Sequence, residues 1–287
     1  QLISTSLPDI IHKTFYYENY SSPSVKNFVT VFDMNYEVMP KFSRYAALKS
    51  KLKKNACKRA DVIIAISNST KRDLIDIFKV NESKIHVIHL GVSKQFNLNN
   101  HTNDYNAEIA KLGDYILFVG RRSGYKNFEA LLYAFAHNKS LMKDNKLIAF
   151  GGGELTLVEK KLIRKLGLQN DSIIQISGSD EKLASYYRGA KLMVYPSLYE
   201  GFGLPIIEAM ASGCPVLTSS ISSMPEVGQN ACVYYDPLKA DSLVDNLSDL
   251  LFDNVKLREL SNLGLNHCKR FTWEATARKT AALYGLK

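Results

Sequence analysis

The chain has 287 residues, of which 46% are hydrophobic, and it carries a formal net charge of +9. This length and this apolar content suit two ordinary domains with real cores and exclude an intrinsically disordered chain. No apolar run approaches the roughly 18 to 20 residues of a membrane-spanning helix, and the opening residues lack the pattern of a signal peptide. We therefore expect a soluble, globular, cytoplasmic protein.

The cysteines and the charge narrow the class of protein further. No Cys-x-x-Cys pair occurs, so neither a zinc site nor a disulfide framework is indicated, and a reducing compartment fits best. The four cysteines are Cys57, Cys214, Cys232 and Cys268. The positive charge indicates anionic partners, but it does not choose between nucleic acid, acidic lipid headgroups and phosphorylated small molecules.

The first part of the chain predicts a thin Rossmann-like sheet. Strand-like runs cover residues 9–12, 27–32, 61–67 and 84–89, and helical patterns cover 41–59 and 69–78. The helix over 41–59 is strongly basic, and its apolar residues recur at three- and four-residue spacing. Such a helix either rests on an anionic membrane surface, at the inner face of the membrane, or forms a solvated outer face that covers a core. The apolar residues are Tyr45, Leu48, Leu52 and Ala56.

The second part alternates strands and helices from about residue 113. Its strands are apolar throughout, which indicates a parallel sheet covered on both faces. The strand-like runs lie at 115–119, 146–150, 172–177, 191–195, 215–219 and 231–235, and the last helical patterns lie at 239–252, 255–269 and 273–286. An Asn-rich stretch over 97–106 reads as a linker. We predict domains over 1–112 and 113–270, with a C-terminal helix over 271–287 that packs back toward the first domain.

The segment over 195–217 is the best clue to function. It places a turn-rich loop between two carboxylates, Glu200 and Glu208, and runs into a short helix. Gly201 and Gly203 allow close approach of the backbone, and a helix N-terminus favours an anion, above all a phosphate. The two carboxylates can accept hydrogen bonds from sugar hydroxyls. A diphosphate that carries sugars at both ends would fit this segment.

Three cationic side chains follow the strand that ends at Val119 and Gly120. They are Arg121, Arg122 and Lys126. Ligands of open α/β sheets bind outside the carboxyl ends of the strands. Together the three residues would stabilise the negative charge on a departing diphosphate. The alternative is that they are ordinary exposed basic residues after a strand.

Other strand ends supply weaker candidates. The glycines of 151–153, with Gly152 at their centre, could approach a ligand, and main-chain groups at Ser177 could help to frame a nucleobase; a tight turn explains the glycines equally well and explains the Ser177 side chain better. His12, Asp33 and Ser67 stand at strand ends in the first part, where a lone histidine is more often structural than catalytic. The chain contains neither a Gly-x-x-x-x-Gly-Lys phosphate loop nor His-Glu-x-x-His, so P-loop and zinc hydrolysis are poorly supported.

Three segments together resemble a known family. They read Phe-Val-Gly-Arg-Arg-Ser-Gly-Tyr-Lys-Asn over 118–127, Pro-Ser-Leu-Tyr-Glu-Gly-Phe-Gly-Leu-Pro over 196–205 with Glu208 beyond, and Met-Pro-Glu-Val over 224–227. They resemble the group 1 (family four) retaining glycosyltransferases of GT-B fold. Within that family the chain looks closest to bacterial hexosyltransferases, often mannosyltransferases, that build O-antigens and capsules. First-domain segments over 9–14 and 29–33 match as well.

The resemblance implies an α/β fold with two Rossmann-like domains facing a cleft. Glu200 would bind hydroxyls of the donor sugar, and Glu208 would hold the ribose hydroxyls. Lys126 and either Arg121 or Arg122 would neutralise the diphosphate, and the spacing leaves that choice open. Main-chain groups would come from Gly120, Gly152, Ser177, Gly201, Phe202, Gly203 and Leu204. The donor would be GDP- or UDP-linked and the acceptor a saccharide or lipid-linked saccharide, with neither a metal nor another cofactor.

Two departures from the family pattern generate rival hypotheses. Phe32 stands where members usually have His, and the opening segment of a typical first domain is absent, so that either the chain is a truncated or processed form or another chain completes the first sheet. One rival is a catalytically weak nucleotide-sugar-binding subunit or fragment, and another is a GT-B nucleotide-sugar epimerase. Nucleic acid is not expected as a partner, because no recognised binding motif occurs.

Overall fold

The computed structural model describes residues 8–16, 24–99, 105–137, 144–169, 171–239 and 241–286. Internal contacts divide the chain into two compact units. The first comprises Gln1–Gly91, Tyr199–Phe202 and Trp273–Lys287, and the second comprises Val92–Leu198 and Gly203–Thr272. Both are α/β units built on parallel sheets. None of the helices in the described ranges is both long enough and apolar enough to cross a membrane.

The first unit contains a four-stranded parallel sheet in the order β1-β2-β3-β4. Its strands are β1 (Ile10–Lys13), β2 (Lys26–Val31), β3 (Val62–Ala65) and β4 (Ile85–Val87). Its helices are α1 (Asn35–Val38), α2 (Ala46–Arg59), α3 (Asn68–Phe78) and α12 (Trp273–Leu283). The strands are short, apolar and β-branched, and their inner residues are buried with Met34, Leu74 and Phe78.

The basic helix of the first unit differs in detail from its prediction. A separate 3₁₀ turn covers Pro40–Phe42, and α2 begins only at Ala46. The inner face of α2 carries Lys53, which is 1% exposed and donates to Glu37 at 2.9 Å and to the Asp33 carbonyl at 2.8 Å. A buried ammonium requires such partners, because desolvation of an unpaired charge is costly. The apolar spacing therefore predicted the helix but not which residues it buries.

The second unit contains a six-stranded parallel sheet in the order β10-β9-β8-β5-β6-β7. Its strands are β5 (Tyr115–Val119), β6 (Lys146–Phe150), β7 (Ile173–Ile176), β8 (Leu192–Tyr195), β9 (Val216–Ser219) and β10 (Val233–Tyr235). Its helices are α4 (Asn106–Ala110), α5 (Phe128–His137), α6 (Leu157–Lys165), α7 (Asp180–Gly189), α8 (Leu204–Ala211), α9 (Met224–Gly228), α10 (Ser242–Phe252) and α11 (Asn254–His267). The parallel sheet predicted from the uniformly apolar strands is confirmed.

The winding of the second sheet reverses at β5. From β5 the chain proceeds through β6 to β7 on one side, and it returns at β8 to build β9 and β10 on the other. Connections that leave neighbouring strands in opposite directions open a crevice at the carboxyl ends of those strands, which is where ligands of such sheets bind. In this unit the crevice lies beyond β5 and β8.

The first unit gives way to the second after Gly91, whereas the sequence predicted a boundary at residue 112. The backbone N–H of Val92 donates to the Phe271 carbonyl, and that of Leu98 donates to the Ala211 carbonyl, both at 3.0 Å. The second of these bonds attaches the start of the predicted linker to the second unit; residues 100–104 of that linker lie outside the described residues. The helix α12 groups with the first unit, although it follows the whole of the second in sequence.

Candidate functional site

Lys126 lies where the winding of the second sheet reverses. It ends a 3₁₀ turn, Gly124–Lys126, that follows β5. Its Nζ donates to the hydroxyl of Tyr195, the last residue of β8, at 2.7 Å. The N–H of Leu198 donates to the Tyr125 carbonyl at 2.7 Å and ties the loop after β8 to the same turn. The ammonium is thus held between the two strands that flank the crevice.

The N-terminus of α8 begins beside the same tyrosine ring. Gly203 precedes the helix with φ of 106°, a conformation that favours glycine. A Cβ at this position would lie 4.0 Å from Cε1 of Tyr195. Leu204 is the first helical residue, and Pro205 follows without an N–H. The Lys126 ammonium and the positive end of the α8 dipole both lie beside Tyr195. Together they favour the binding of an anion there.

Glu208 lies one turn into α8. Its carboxylate accepts a hydrogen bond from the Tyr187 hydroxyl at 3.1 Å. Burial raises the pKa of Glu208 to about 7. The hydrogen bond from Tyr187 and the positive charge of Lys126 lower this pKa, whereas the negative charge of Asp180 raises it further. Glu208 and Lys126 are therefore within electrostatic reach of each other, and the carboxylate keeps the capacity to accept further bonds from hydroxyl groups.

The two adjacent arginines have different environments. Arg121 is exposed, and it makes no hydrogen bond or ion pair with any residue that the structure describes. Arg122 is 7% exposed and donates to the carbonyls of Gly151, Gly153 and Glu154 at 2.7 to 2.9 Å. Its Nε donates to Glu159 at 2.8 Å. Of the two arginines that the sequence left open, Arg122 uses four of its N–H groups within the protein, whereas the Arg121 guanidinium is exposed.

Backbone conformation accounts for Gly120, and backbone conformation together with packing accounts for Gly152. A Cβ on Gly120, at φ of 116°, would lie 4.0 Å from Cε of Lys126. A Cβ on Gly152, at φ of 72°, would lie 2.8 Å from Nη1 of Arg122 and 3.1 Å from the Gly120 carbonyl. Gly152 is thus required by the Arg122 guanidinium, and its predicted approach to a ligand stays a prediction.

Ser177 follows β7 at the same edge of the sheet and is exposed. Its hydroxyl accepts a hydrogen bond from Nε2 of Gln175 at 2.8 Å. The nearby Ser179 caps α7 by accepting from the Lys182 N–H at 3.4 Å. The side chains of this segment therefore have local partners, and the nucleobase role predicted for Ser177 is untested.

The segment Tyr199–Phe202 belongs to the first unit, unlike the residues on either side of it. The Tyr199 hydroxyl donates to Asp73 at 2.5 Å and accepts from the Met34 N–H at 3.2 Å. The Gly201 carbonyl accepts from the Thr70 hydroxyl at 3.2 Å. A Cβ on Gly201 would overlap the Phe32 carbonyl oxygen and lie 3.0 Å from Cα of Asp33.

The sequence candidates are thus divided between the units. The first unit holds Glu200, which is 8% exposed, and Phe202, whose ring lies 5.7 Å from that of His89. Gly201 and the earlier strand-end candidates also belong to the first unit, and the second unit holds the candidates after β5, β6 and β7 together with Gly203, Leu204 and Glu208. Lys126, the start of α8 and Glu208 are brought together there, and Arg121 follows the same strand as Lys126. The roles predicted for Glu200, Gly201 and Phe202 depend on the sequence pattern.

The remaining strand-end candidates of the first unit have structural partners. His12 bonds through Nε2 to the Thr30 hydroxyl at 2.8 Å and contacts the Tyr284 hydroxyl through Nδ1. Burial lowers the pKa of His12. Ser67 caps α3 by accepting from the Thr70 N–H at 3.0 Å, and Asp33 accepts from the Asn35 N–H at 3.0 Å. These contacts support the structural alternative for His12.

Sequence reasoning missed the residues that hold the candidates in place. Tyr195, Tyr187 and Glu159 bond Lys126, Glu208 and Arg122 respectively. Only Glu159 had a local signal, since Thr156-x-x-Glu159 is the pattern of a capping box, which the structure contains. Among the described residues, no group of three or more His, Cys, Asp and Glu side chains could hold a metal ion.

Comparisons with known proteins match both parts of the chain. The family described as "Glycosyl transferases group 1" matches residues 102–266, and "Glycosyltransferase Family 4" matches residues 1–96. The MMP alpha-(1->4)-mannosyltransferase of Mycolicibacterium hassiacum is 30% identical over 240 residues, which are 81% of this chain and 56% of that protein. The serotype-specific mannosyltransferase WbdA of Escherichia coli is 31% identical over 232 residues, 76% of this chain and 28% of that protein.

A solved structure shows the same fold. HepE of Anabaena in complex with UDP-glucose is similar with a TM-score of 0.77 and 18% identity, covering 91% of this chain and 73% of that one. The predicted GT-B fold is confirmed. The chain spans about half the length of the Mycolicibacterium relative.

Gly201→Ala tests the close backbone packing in the first unit. The added methyl group would overlap the Phe32 carbonyl, so we expect the melting temperature to fall by roughly 3 to 10 °C, measured by scanning calorimetry. Gly178→Ala is the matched control, because its Cβ meets only the flexible side chain of Lys182. An equal, small effect of both substitutions would contradict the packing described here.

Glu208→Gln tests the electrostatics of α8. The pKa of Glu208 is about 7 in the folded protein and near 4.5 when unfolded, so the unfolded chain releases this proton first. Relative to Glu208→Gln, the wild-type free energy of unfolding should therefore fall as pH rises from about 4.5 to about 7, by roughly 1 to 3 kcal/mol, as measured by urea unfolding.

The exposed Glu181 provides a control of opposite sign. Its hydrogen bond with Ser179 lowers its pKa, so wild type should gain stability over Glu181→Gln as pH rises toward 4.5. A pH-independent difference between wild type and Glu208→Gln would show that Glu208 does not titrate in this window.

Proposed function

The chain belongs to the group 1 glycosyltransferases, and we propose that it transfers a hexosyl unit, mannosyl favoured, from a nucleotide-diphosphate sugar to a saccharide or lipid-linked saccharide hydroxyl. We further propose retention of configuration and a role in surface polysaccharide synthesis. One observation carries the proposal: Lys126, the N-terminus of α8 and Glu208 gather where the winding of the second sheet reverses. This is where an α/β sheet binds an anionic nucleotide.

The similar proteins support the donor class. The two relatives are named mannosyltransferases, which favours mannose as the transferred hexose. The HepE structure contains UDP-glucose, a nucleotide-diphosphate sugar. The donor is a GDP- or UDP-linked sugar. The residues at the carboxyl edge of β7 do not select between guanine and uracil.

The proposed chemistry is a front-side substitution at the anomeric carbon. The bond from that carbon to the diphosphate oxygen breaks, the bond to the acceptor oxygen forms on the same face, and the acceptor proton moves to the departing diphosphate. Lys126 and Arg121 stabilise the charge that develops on the leaving group. A unit charge about 4 Å away contributes roughly 4 kcal/mol at an effective dielectric of 20.

The other candidates bind the two ends of the donor. Glu208 accepts hydrogen bonds from the ribose hydroxyls, which favours its ionised form and therefore donor binding at or above neutral pH. Glu200 accepts from hydroxyls of the hexose, a role that rests on its place in the family pattern. The cationic side chains and the helix N-terminus do for the diphosphate what a divalent ion does in metal-dependent transferases, so we expect activity in the presence of a chelator.

Lys126→Ala and Glu200→Ala should each lower turnover by about a hundredfold or more, by analogy with the loss of one preorganised stabilising group. Turnover is measured in the purified full-length protein with radiolabelled GDP-mannose or UDP-glucose and a saccharide acceptor. Lys165→Ala, an exposed lysine at the end of α6, is the matched control and should leave turnover unchanged.

The same assay separates the rival functions. Near-normal turnover in both variants would refute the assigned roles. Donor binding without transfer or hydrolysis would favour a binding subunit, a possibility that Phe32 raises because this ring, 39% exposed, stands where the family usually has His. Conversion of the donor sugar without any acceptor would indicate an epimerase.

We also propose that the surface around the start of α2 contacts anionic membrane. Phe42, Tyr45 and Leu48 are 41%, 58% and 58% exposed. Lys41 lies over the Phe42 ring at 5.0 Å, and Arg44 lies over the Tyr45 ring at 5.8 Å. Exposed aromatic and aliphatic side chains surrounded by cations are typical of surfaces that bind the membrane interface.

Vesicle binding tests this contact. Co-sedimentation with phosphatidylglycerol-containing vesicles should exceed that with pure phosphatidylcholine and should weaken with salt. Lys41→Gln and Arg44→Gln should each reduce the partition coefficient roughly fivefold, since one basic residue near an anionic surface contributes about 1 kcal/mol. Arg72→Gln, an exposed arginine on α3, is the control. Equal binding to both vesicle types would exclude the proposed surface.

A further inference from the structure

We propose that Arg122 is a positioning residue, which holds the loop Gly151–Glu154 so that its peptide N–H groups face the donor nucleotide. The inference rests on the proposed function for the identity of the ligand. It assigns to Arg122 a role different from that of Arg121, its neighbour in sequence, because the two guanidinium groups have different surroundings.

The contacts of Arg122 are those of a buried clamp. A guanidinium has five N–H donors, and four of those of Arg122 have acceptors in this structure. Nη1 donates to the Gly151 carbonyl, Nη2 to the carbonyls of Gly153 and Glu154, and Nε to Glu159. Binding a diphosphate would require Arg122 to leave these acceptors, which are three carbonyls of one loop and the Glu159 carboxylate.

The clamp fixes a loop that would otherwise have many conformations. Gly151, Gly152 and Gly153 have φ of 89°, 72° and 74°, which are left-handed values that other residues avoid. Three successive glycines lose much conformational entropy when they are ordered. The hydrogen bonds from one rigid, charged donor offset that loss and select a single arrangement.

The direction of the carbonyls determines the direction of the N–H groups. In a planar trans peptide the C=O and the following N–H point in opposite directions. Because the carbonyls of Gly151, Gly153 and Glu154 point at Arg122, the N–H groups that follow them point away from it. None of the N–H groups of Gly152, Glu154 and Leu155 has a hydrogen-bond acceptor among the described residues, and the loop is exposed.

The place of the loop makes a nucleotide the natural acceptor for these groups. It follows β6, the strand next to β5, so it lies at the same carboxyl edge as Lys126. The N–H of Gly120 donates to the Phe150 carbonyl at 2.9 Å, which keeps the ends of β5 and β6 together. Peptide N–H groups with a cation behind them suit the oxygen acceptors of a phosphate or a nucleobase.

Glu159 is the second half of the clamp. Its carboxylate also accepts from the Thr156 N–H at 2.7 Å and from the Thr156 hydroxyl at 2.8 Å, which fixes the start of α6. Burial alone would raise the pKa of Glu159, but the bonds from Thr156 and Arg122 outweigh it and lower the pKa. The ion pair therefore joins the end of β5, the loop after β6 and the next helix.

The test compares Arg122→Gln and Glu159→Gln with Arg164→Gln, a control in which an exposed arginine of α6 is replaced. Hydrogen–deuterium exchange of the unliganded protein at the hydrogen-bonded N–H groups of Gly151 and Thr156 should be at least tenfold faster in Arg122→Gln and also faster, by less, in Glu159→Gln. Exchange over α8 should be unchanged. This readout does not depend on activity, and Glu159→Gln keeps it usable if Arg122→Gln does not fold.

Steady-state kinetics with GDP-mannose or UDP-glucose provide the second readout. A loop that binds the nucleotide equally in the ground and transition states affects KM and not kcat. We expect KM for the donor to rise about tenfold in Arg122→Gln, with kcat within threefold of wild type. Calorimetric titration with GDP or UDP should show a similar loss of affinity.

Two outcomes would overturn the inference. A hundredfold loss of kcat in Arg122→Gln, with unchanged exchange of the loop and no effect of Glu159→Gln, would make Arg122 a diphosphate ligand. Faster exchange with unchanged KM and kcat would make the clamp purely structural. If the wild-type protein transfers sugar from neither donor, the proposed function is contradicted. If the wild type is active and Arg122→Gln has the same KM, kcat and loop exchange, only this inference is contradicted.

Discussion

The hydrogen bond from Lys126 to Tyr195 crosses the two strands at which the second sheet reverses its winding. The proposed chemistry depends on this one contact. The hydrogen bond forms only if β5 and β8 are neighbouring strands. They are neighbours because the chain builds one half of the sheet outward from β5 and then returns to build the other half at β8. The same tyrosine ring borders the start of α8, so a side-chain cation and a helix dipole act on one volume. Position in the topology, more than residue type, gives Lys126 its assigned role.

The two arginines after β5 illustrate how two adjacent residues of the same type come to have different environments. Arg121 is exposed to solvent, and Arg122 is inserted beneath the glycine loop after β6. Spacing from Gly120 could not choose between them, because both residues have the same charge and geometry. The choice depends on the carbonyls of Gly151–Glu154, which lie far away in sequence.

Patterns local to the chain were sufficient to predict the parallel sheets and the short helix after Gly203. Uniformly apolar runs such as Tyr115–Val119 are buried strands whatever their neighbours. Partnerships between distant residues were not predictable. Tyr187 reaches Glu208 from another helix, and nothing in its own surroundings in the sequence indicates this. Lys53 occupies the inner face of a basic helix because the Glu37 carboxylate balances its charge and the Asp33 carbonyl accepts a hydrogen bond from it, which reverses the usual inference from charge to exposure.

The grouping of Tyr199–Phe202 and of α12 with the first unit means that the chain passes from one unit to the other four times. No single cut in the backbone can therefore separate the two units intact. A fragment that ends at Gly91 would lack the C-terminal helix and the short segment around Glu200, and its complement would carry both without the sheet on which they pack. Dissection of this protein into its two units would require three separate segments for the first unit and two for the second, in contrast to a chain whose domains are joined by one tether.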